Sequence, residues 1–131
     1  AHLLASAFRG AISQRLIRRI CDNCAESYTP NSTQAKILNL NNLSSDSLRR
    51  GRGCSSCRGT GFRERVAAFQ ILESNESLSE LMVSRPQPTF FRKLAMESGM
   101  TSMEFEALRL ASEGITSIEE ALTLAVSHDI A

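Results

Sequence analysis

Leu4, Phe8, Ile12, Leu16 and Ile20 recur at every fourth position, with Ala7 and Ala11 beside them and Arg9, Arg15 and Arg18 elsewhere on the wheel. That period predicts an amphipathic helix over residues 3–20 whose apolar stripe packs into a core. It runs straight into Cys21. Residues 25–53 are polar, with Asn and Ser clusters and too few large apolar side chains to hold a core of their own. Pro30-Asn31-Ser32 predicts a short helix through Leu38, and Ser44-Ser45-Asp46 another through Arg49. Gly51-Arg52-Gly53 and Gly59-Thr60-Gly61 permit tight turns. The run from Arg65 to Leu72 reads as a strand, although a short apolar run also suits a helix.

Beyond that strand the pattern is helical and clearly punctuated. Asn75 can cap a helix carrying Leu78, Leu81 and Met82, and Pro86 and Pro88 end it. Thr89 opens a helix with Phe90, Phe91, Leu94 and Ala95 as its core face, stopping at Gly99. Thr101-Ser102-Met103-Glu104 and Ser117-Ile118-Glu119-Glu120 have the spacing of capping boxes, and Gly114 between them is a natural left-handed stop. The expected fold class is mostly α with a small β element.

At 131 residues the chain is about one domain's worth. Its apolar stretches are broken well short of the roughly 20 residues that a bilayer requires. No signal peptide is visible. The chain opens Ala1-His2-Leu3-Leu4, without methionine and inside a predicted element, as expected of a piece of a longer protein. The net charge of +1 conceals an asymmetry: residues 1–65 hold eleven basic and four acidic side chains, the remainder four basic and ten acidic. Opposite halves can attract each other or a neighbouring subunit, and a basic half alone also suits nucleic acid.

The cysteines change the picture most. All four fall in two Cys-x-x-Cys pairs, Cys21/Cys24 and Cys54/Cys57. Two intervening residues let both sulfurs of a pair turn toward one point about 2.3 Å from each, which is half of a tetrahedral zinc site. Closing the 29 residues between the pairs is tolerable, because loop entropy grows slowly with length. The predicted metal ligands are therefore Cys21, Cys24, Cys54 and Cys57, around a structural zinc. Two disulfides would need an oxidising compartment, for which the sequence carries no mark. A thioredoxin-like pair would need a strand before it and a helix beginning at it, whereas the predicted order has a helix before Cys21. Four thiolates also suit an iron–sulfur cluster. Arg18, Arg19, Arg52 and Arg58 adjoin the cysteines and can offset the negative charge of a four-thiolate site.

Other chemistry is sparse. His2 and His128 stand at opposite ends and read as exposed terminal residues. No Gly-x-x-x-x-Gly-Lys-Ser/Thr occurs, and no Ser or Cys has a histidine placed to activate it, so no catalytic residue is predicted.

Ser13-Gln14-Arg15-Leu16-Ile17-Arg18-Arg19-Ile20-Cys21, both cysteine pairs, and Gly53-Cys54-Ser55-Ser56-Cys57-Arg58-Gly59-Thr60-Gly61-Phe62 resemble the hexameric ATPases of type II secretion and type IV pilus assembly. Gly99-Met100-Thr101-Ser102-Met103 and the segment from Glu113 to Ala121 are similar to that family's C-terminal helices, in the same order. The resemblance implies three parts: residues 1–20 as the terminal helix of a nucleotide-binding core, 21–65 as a tetracysteine metal-binding module, and 66–131 as a strand plus C-terminal helical region. It also implies zinc here, ATP and Mg²⁺ only in the parent protein, and no ATPase activity from this chain alone. The implied partners are other subunits of the ATPase and an inner-membrane platform protein, at the cytoplasmic face of the bacterial inner membrane, with no nucleic acid. After the second pair the family usually reads Gly-Tyr-x-Gly-Arg-x-Gly-Ile-x-Glu. Here Arg65 is kept, while Glu64, Ala67, Ala68 and Gln70 replace the second and third glycines, the isoleucine and the glutamate. Ala67 is thus expected to disfavour a positive φ or a close backbone approach. Two other resemblances are weaker. Cys54 to Gly61 also fits the zinc unit of J-domain co-chaperones, which is repeated there but occurs once here. A nucleic-acid-binding zinc module would use the arginines on phosphates.

Overall fold

The computed structural model describes the backbone of residues 2–130 and the side-chain surroundings of residues 2–124. In chain order the elements are α1 (His2–Ala7), β1 (Gly10–Ile20), β2 (Ala25–Ser27), α2 (Ser32–Leu40), β3 (Arg49–Gly51), β4 (Phe62–Glu73), α3 (Glu76–Val83), α4 (Pro88–Glu97), α5 (Met103–Ser112) and α6 (Ile118–Ile130). Helices predominate. The strands form two two-stranded sheets, β1 with β4 and β2 with β3.

The helix expected over residues 3–20 is corrected: it ends at Ala7, and residues 10–20 are strand. A four-residue spacing always keeps the same parity, so the stripe suits a strand of period two as well as a helix of period 3.6. Gly10 disfavours continuing the helix, and the β-branched Ile12, Ile17 and Ile20 tip the local preference toward strand. The partner that makes the strand possible, β4, begins more than forty residues downstream of Ile20. Nor, Ile20 apart, is the stripe a core. Leu4, Ile12 and Leu16 are 62%, 70% and 56% exposed, while the side chains of β1 that bury are Ile17 and Ile20.

Two compact units are distinguished. The first comprises Ala1–Ser13 and Phe69–Ser102, the second Gln14–Ala68 and Met103–Ala131. In the first, α1 packs on α3 and α3 on α4, with Leu78 and Ala95 almost fully buried. Asn75 caps α3 by accepting a hydrogen bond from the Leu78 backbone N–H, as expected. Pro86 and Pro88 separate the two helices, with Pro88 starting α4. Phe90 departs from expectation: it is 63% exposed and belongs to no core.

In the second unit Ile17, Leu38, Leu48, Ala68, Leu108 and Ile118 join one apolar cluster. Sequence-distant segments thereby meet, with α5 and α6 packed against each other. Asn31 caps α2 through a full capping box with Gln34. Tyr28 Oη donates to Gln34 Oε1, and Gln34 Nε2 donates to Glu119 Oε1 at 3.2 Å. The helix expected from Ser44 to Arg49 does not form. Arg49–Gly51 instead pairs antiparallel with Ala25–Ser27, in the register Ala25↔Gly51. Burying Leu48 on the far side of that register outweighs the weak helical signal of a Ser-rich segment.

The turn between α5 and α6 holds the end of β1. Thr116 Oγ1 donates to the Arg18 carbonyl at 2.7 Å, and Ile20 N donates to the Ile115 carbonyl at 3.0 Å. Arg18 itself lies over the Phe62 ring, 4.1 Å from the centroid, and meets Glu120 Oε2 at 2.6 Å. Gly114, at φ +79°, makes this turn; a Cβ there would lie 2.7 Å from the Ser47 carbonyl oxygen. Gly114→Ala is predicted to destabilise the protein by about 1–3 kcal/mol, since it combines a left-handed strain with a backbone clash. An unchanged urea midpoint would show that the turn is not so constrained.

Candidate metal centre

The two cysteine pairs arrive from different parts of the second unit. Cys21 follows β1 directly, and a turn carries the chain through Cys24 into β2. Cys54 and Cys57 lie in the turn between β3 and β4. The β2–β3 pairing and the bond from Cys21 N to the Gly61 carbonyl (2.9 Å) bring the two turns together. Two glycines make that approach possible. A Cβ on Gly51 would fall 2.0 Å from the Gly61 carbonyl oxygen, and one on Gly61 2.5 Å from that of Gly51. Real side chains do not fit at such distances.

All four sulfurs lie within 4.8 Å of one another. Cys21 Sγ is 3.8 Å from Cys54 Sγ, Cys24 Sγ is 3.8 Å from Cys57 Sγ, and Cys54 Sγ is 3.7 Å from Cys57 Sγ. None is in a disulfide. Four sulfurs each about 2.3 Å from a central Zn²⁺ stand about 3.8 Å apart in a regular tetrahedron. The donor set and its spacing can therefore hold a metal ion. Cys21, Cys24 and Cys57 are buried and Cys54 is half-buried.

The charge of the sulfurs is met by backbone. Cys57 Sγ accepts N–H bonds from Cys54 and Gly61, both at 3.2 Å, and Cys24 Sγ accepts one from Gly53 at 3.3 Å. Burial acts to raise the Cys57 thiol, but the donors from Cys54 and Gly61 outweigh it and bring it down to about 6. For Cys24, burial wins over the bond from Gly53, and the thiol is pushed up to about 11. Two of the neighbouring arginines have partners away from the sulfurs. Arg18 is engaged with Glu120 and Phe62, Arg19 faces Asp22 at 3.7 Å, and among the described residues no arginine hydrogen-bonds a sulfur. The missed donors are the backbone N–H groups of Gly53, Cys54 and Gly61; the two glycines pointed to turns but not to N–H···S bonds.

A strand, not a helix, leads into Cys21, so that part of the argument against a thioredoxin-like pair is corrected. No helix begins at the pair, because the turn passes into β2. Of the histidines, His2 is exposed, and His128 lies outside the residues whose side chains are described. Of the positions where this chain replaces the resembling family's residues, Glu64 is left-handed, at φ +67°, where that family has glycine. Ala67 lies within β4 with no positive φ, and Ala68 is buried in the apolar cluster.

Among the described residues no helix is long and apolar enough to cross a membrane. The family model described as type II/IV secretion system protein matches residues 1–123. The chain is 31% identical over 121 residues to the type IV pilus assembly ATPase PilB of Thermus thermophilus, a match covering 91% of this chain and 14% of that protein. It is 28% identical over 120 residues to type II secretion system protein E of Pseudomonas aeruginosa, covering 92% of this chain and 24% of the relative. Against type II secretion system ATPase E of Vibrio cholerae the figures are 29%, 92% and 24%. The chain thus spans at most about a quarter of the length of these relatives. With that family model covering residues 1–123 of 131, the chain belongs to the type II/IV secretion system protein family.

Proposed function

We propose that this chain is the zinc-stabilised C-terminal module of a hexameric motor ATPase that powers type II secretion or type IV pilus assembly from the cytoplasmic face of the inner membrane. The observation that carries the zinc reading is the spacing of 3.7–3.8 Å between neighbouring sulfurs, which matches the edges of a tetrahedral four-thiolate site. Family membership supports the motor reading.

In this reading Cys21, Cys24, Cys54 and Cys57 hold one Zn²⁺. When bound, the ion supplies a cross-link between turns 33 residues apart and no open position for catalysis. The backbone N–H groups of Gly53, Cys54 and Gly61 spread the excess negative charge and orient the sulfurs. Residues 1–20 form the end of the nucleotide-binding core, by way of β1, residues 21–65 the metal module, and residues 66–131 the terminal strand and helices. No phosphate-binding loop occurs in these 131 residues, so ATP and Mg²⁺ belong to the parent protein. The clip holds residues 25–53 to the core and passes nucleotide-driven movement to adjoining subunits and a membrane platform protein.

Cys54→Ser is predicted to lose the metal and to loosen residues 25–53, with the C-terminal helices still folded. Zinc content by elemental analysis and limited proteolysis test this together; unchanged values for both would refute the clip. Gly51→Ala pushes the two turns apart without touching a sulfur. It is predicted to release zinc to a chromophoric chelator faster than the parent chain. Equal release rates would show that the Gly51–Gly61 approach does not govern the site.

A further inference from the structure

We infer that Cys54 Sγ is the nucleophile of the metal centre, the atom through which a soft electrophile enters the site and strips its metal. The inference rests on the zinc reading above and concerns how the four ligands differ.

Two independent features single out Cys54. The first is hydrogen bonding. Cys57 Sγ receives two backbone N–H bonds and Cys24 Sγ one. Among the described residues, the sulfurs of Cys21 and Cys54 receive none. Each N–H···S bond draws electron density from a thiolate and lowers its readiness to attack. Cys21 and Cys54 therefore keep the most nucleophilic sulfurs. The second feature is access. Cys21 is 1% exposed, so a reagent cannot reach it without the turn opening. Cys54 is the half-buried member of the set, lying between Gly53 and the exposed Ser55 and Ser56. Only at Cys54 do an unprotected sulfur and an open approach coincide.

The chemistry is an ordinary displacement. With iodoacetamide as the electrophile, the Cys54 sulfur lone pair attacks the methylene carbon, a C–S bond forms, the C–I bond breaks and iodide leaves. The product thioether is neutral and a poor zinc ligand. Three thiolates then remain, one of them Cys57 on the same turn as Cys54, and once this three-thiolate site gives up its zinc the metal no longer ties that turn to the turn carrying Cys21. Modification at this one atom uncouples residues 25–53, so the parent motor would carry an electrophile-sensitive connection at this point.

The test treats the zinc-loaded chain with substoichiometric iodoacetamide, maps the labelled cysteine by peptide mass spectrometry, and follows zinc with a chromophoric chelator. The expected result is labelling of Cys54 several-fold faster than of each other cysteine, with one zinc released per Cys54 alkylated. First labelling at Cys21, Cys24 or Cys57, or even labelling of all four, overturns the inference while leaving the metal site intact. Zinc content is measured before the reagent is added. Its absence from freshly prepared protein overturns the metal reading, and this inference with it.

Discussion

Four sulfurs converging on one point are the constraint around which the second unit is organised. The stretch from Ala25 to Gly53 buries Leu38 and Leu48 in the apolar cluster and packs Tyr28, Ile37 and Leu43 against it, which anchors its middle, while its two ends meet at the cysteine turns. The short β2–β3 pairing supplies three residue pairs, and such a small sheet is marginal by itself. Bringing Cys54 and Cys57 beside Cys21 and Cys24 closes this segment where its own packing is thinnest. A cation shared by the four thiolates would add binding energy that the polar loop lacks.

The cysteine residues alone do not produce the convergence. It requires the backbone of Gly51 to touch that of Gly61, which no side chain would permit. It also requires N–H groups aimed at the sulfurs, and these come from Gly53, Cys54 and Gly61. Several of the arginines that crowd this part of the sequence have partners away from the sulfurs. Arg18 bridges Phe62 and Glu120 and so ties β1 to α6, while Arg50 pairs with Glu26 across the β2–β3 sheet at 3.2 Å. Their charges are solvent-exposed in part, where ion pairs contribute modestly. Unequal protection of the four sulfurs follows from the same backbone geometry, and it makes a site of like residues chemically unlike.

Family membership gives this arrangement its context. The relatives named as pilus assembly and type II secretion ATPases align along nearly the whole chain. Glu64 in a left-handed conformation is a local departure at a position where the resembling pattern has glycine. Such a conformation costs a residue with a Cβ of order 1 kcal/mol or more, and Glu64 lies within β4, whose pairing with β1 can sustain it.

The sequence by itself determined the features whose signals are local. The cysteine spacing marked the four residues whose sulfurs converge, Asn31 and Asn75 marked the starts of α2 and α3, and Gly99 and Gly114 marked helix ends, both at positive φ. Capping and left-handed turns are settled within a few residues, so a few residues suffice to read them. Only the tertiary structure decided that residues 10–20 are a strand, that Arg49–Gly51 pairs with Ala25–Ser27 rather than ending a helix, and that Phe90 is exposed. The two strands depend on partners far along the chain. A four-residue apolar period is common to strand and helix, and what selects between them is whether β4 offers its hydrogen-bonding edge, a choice the segment itself does not contain.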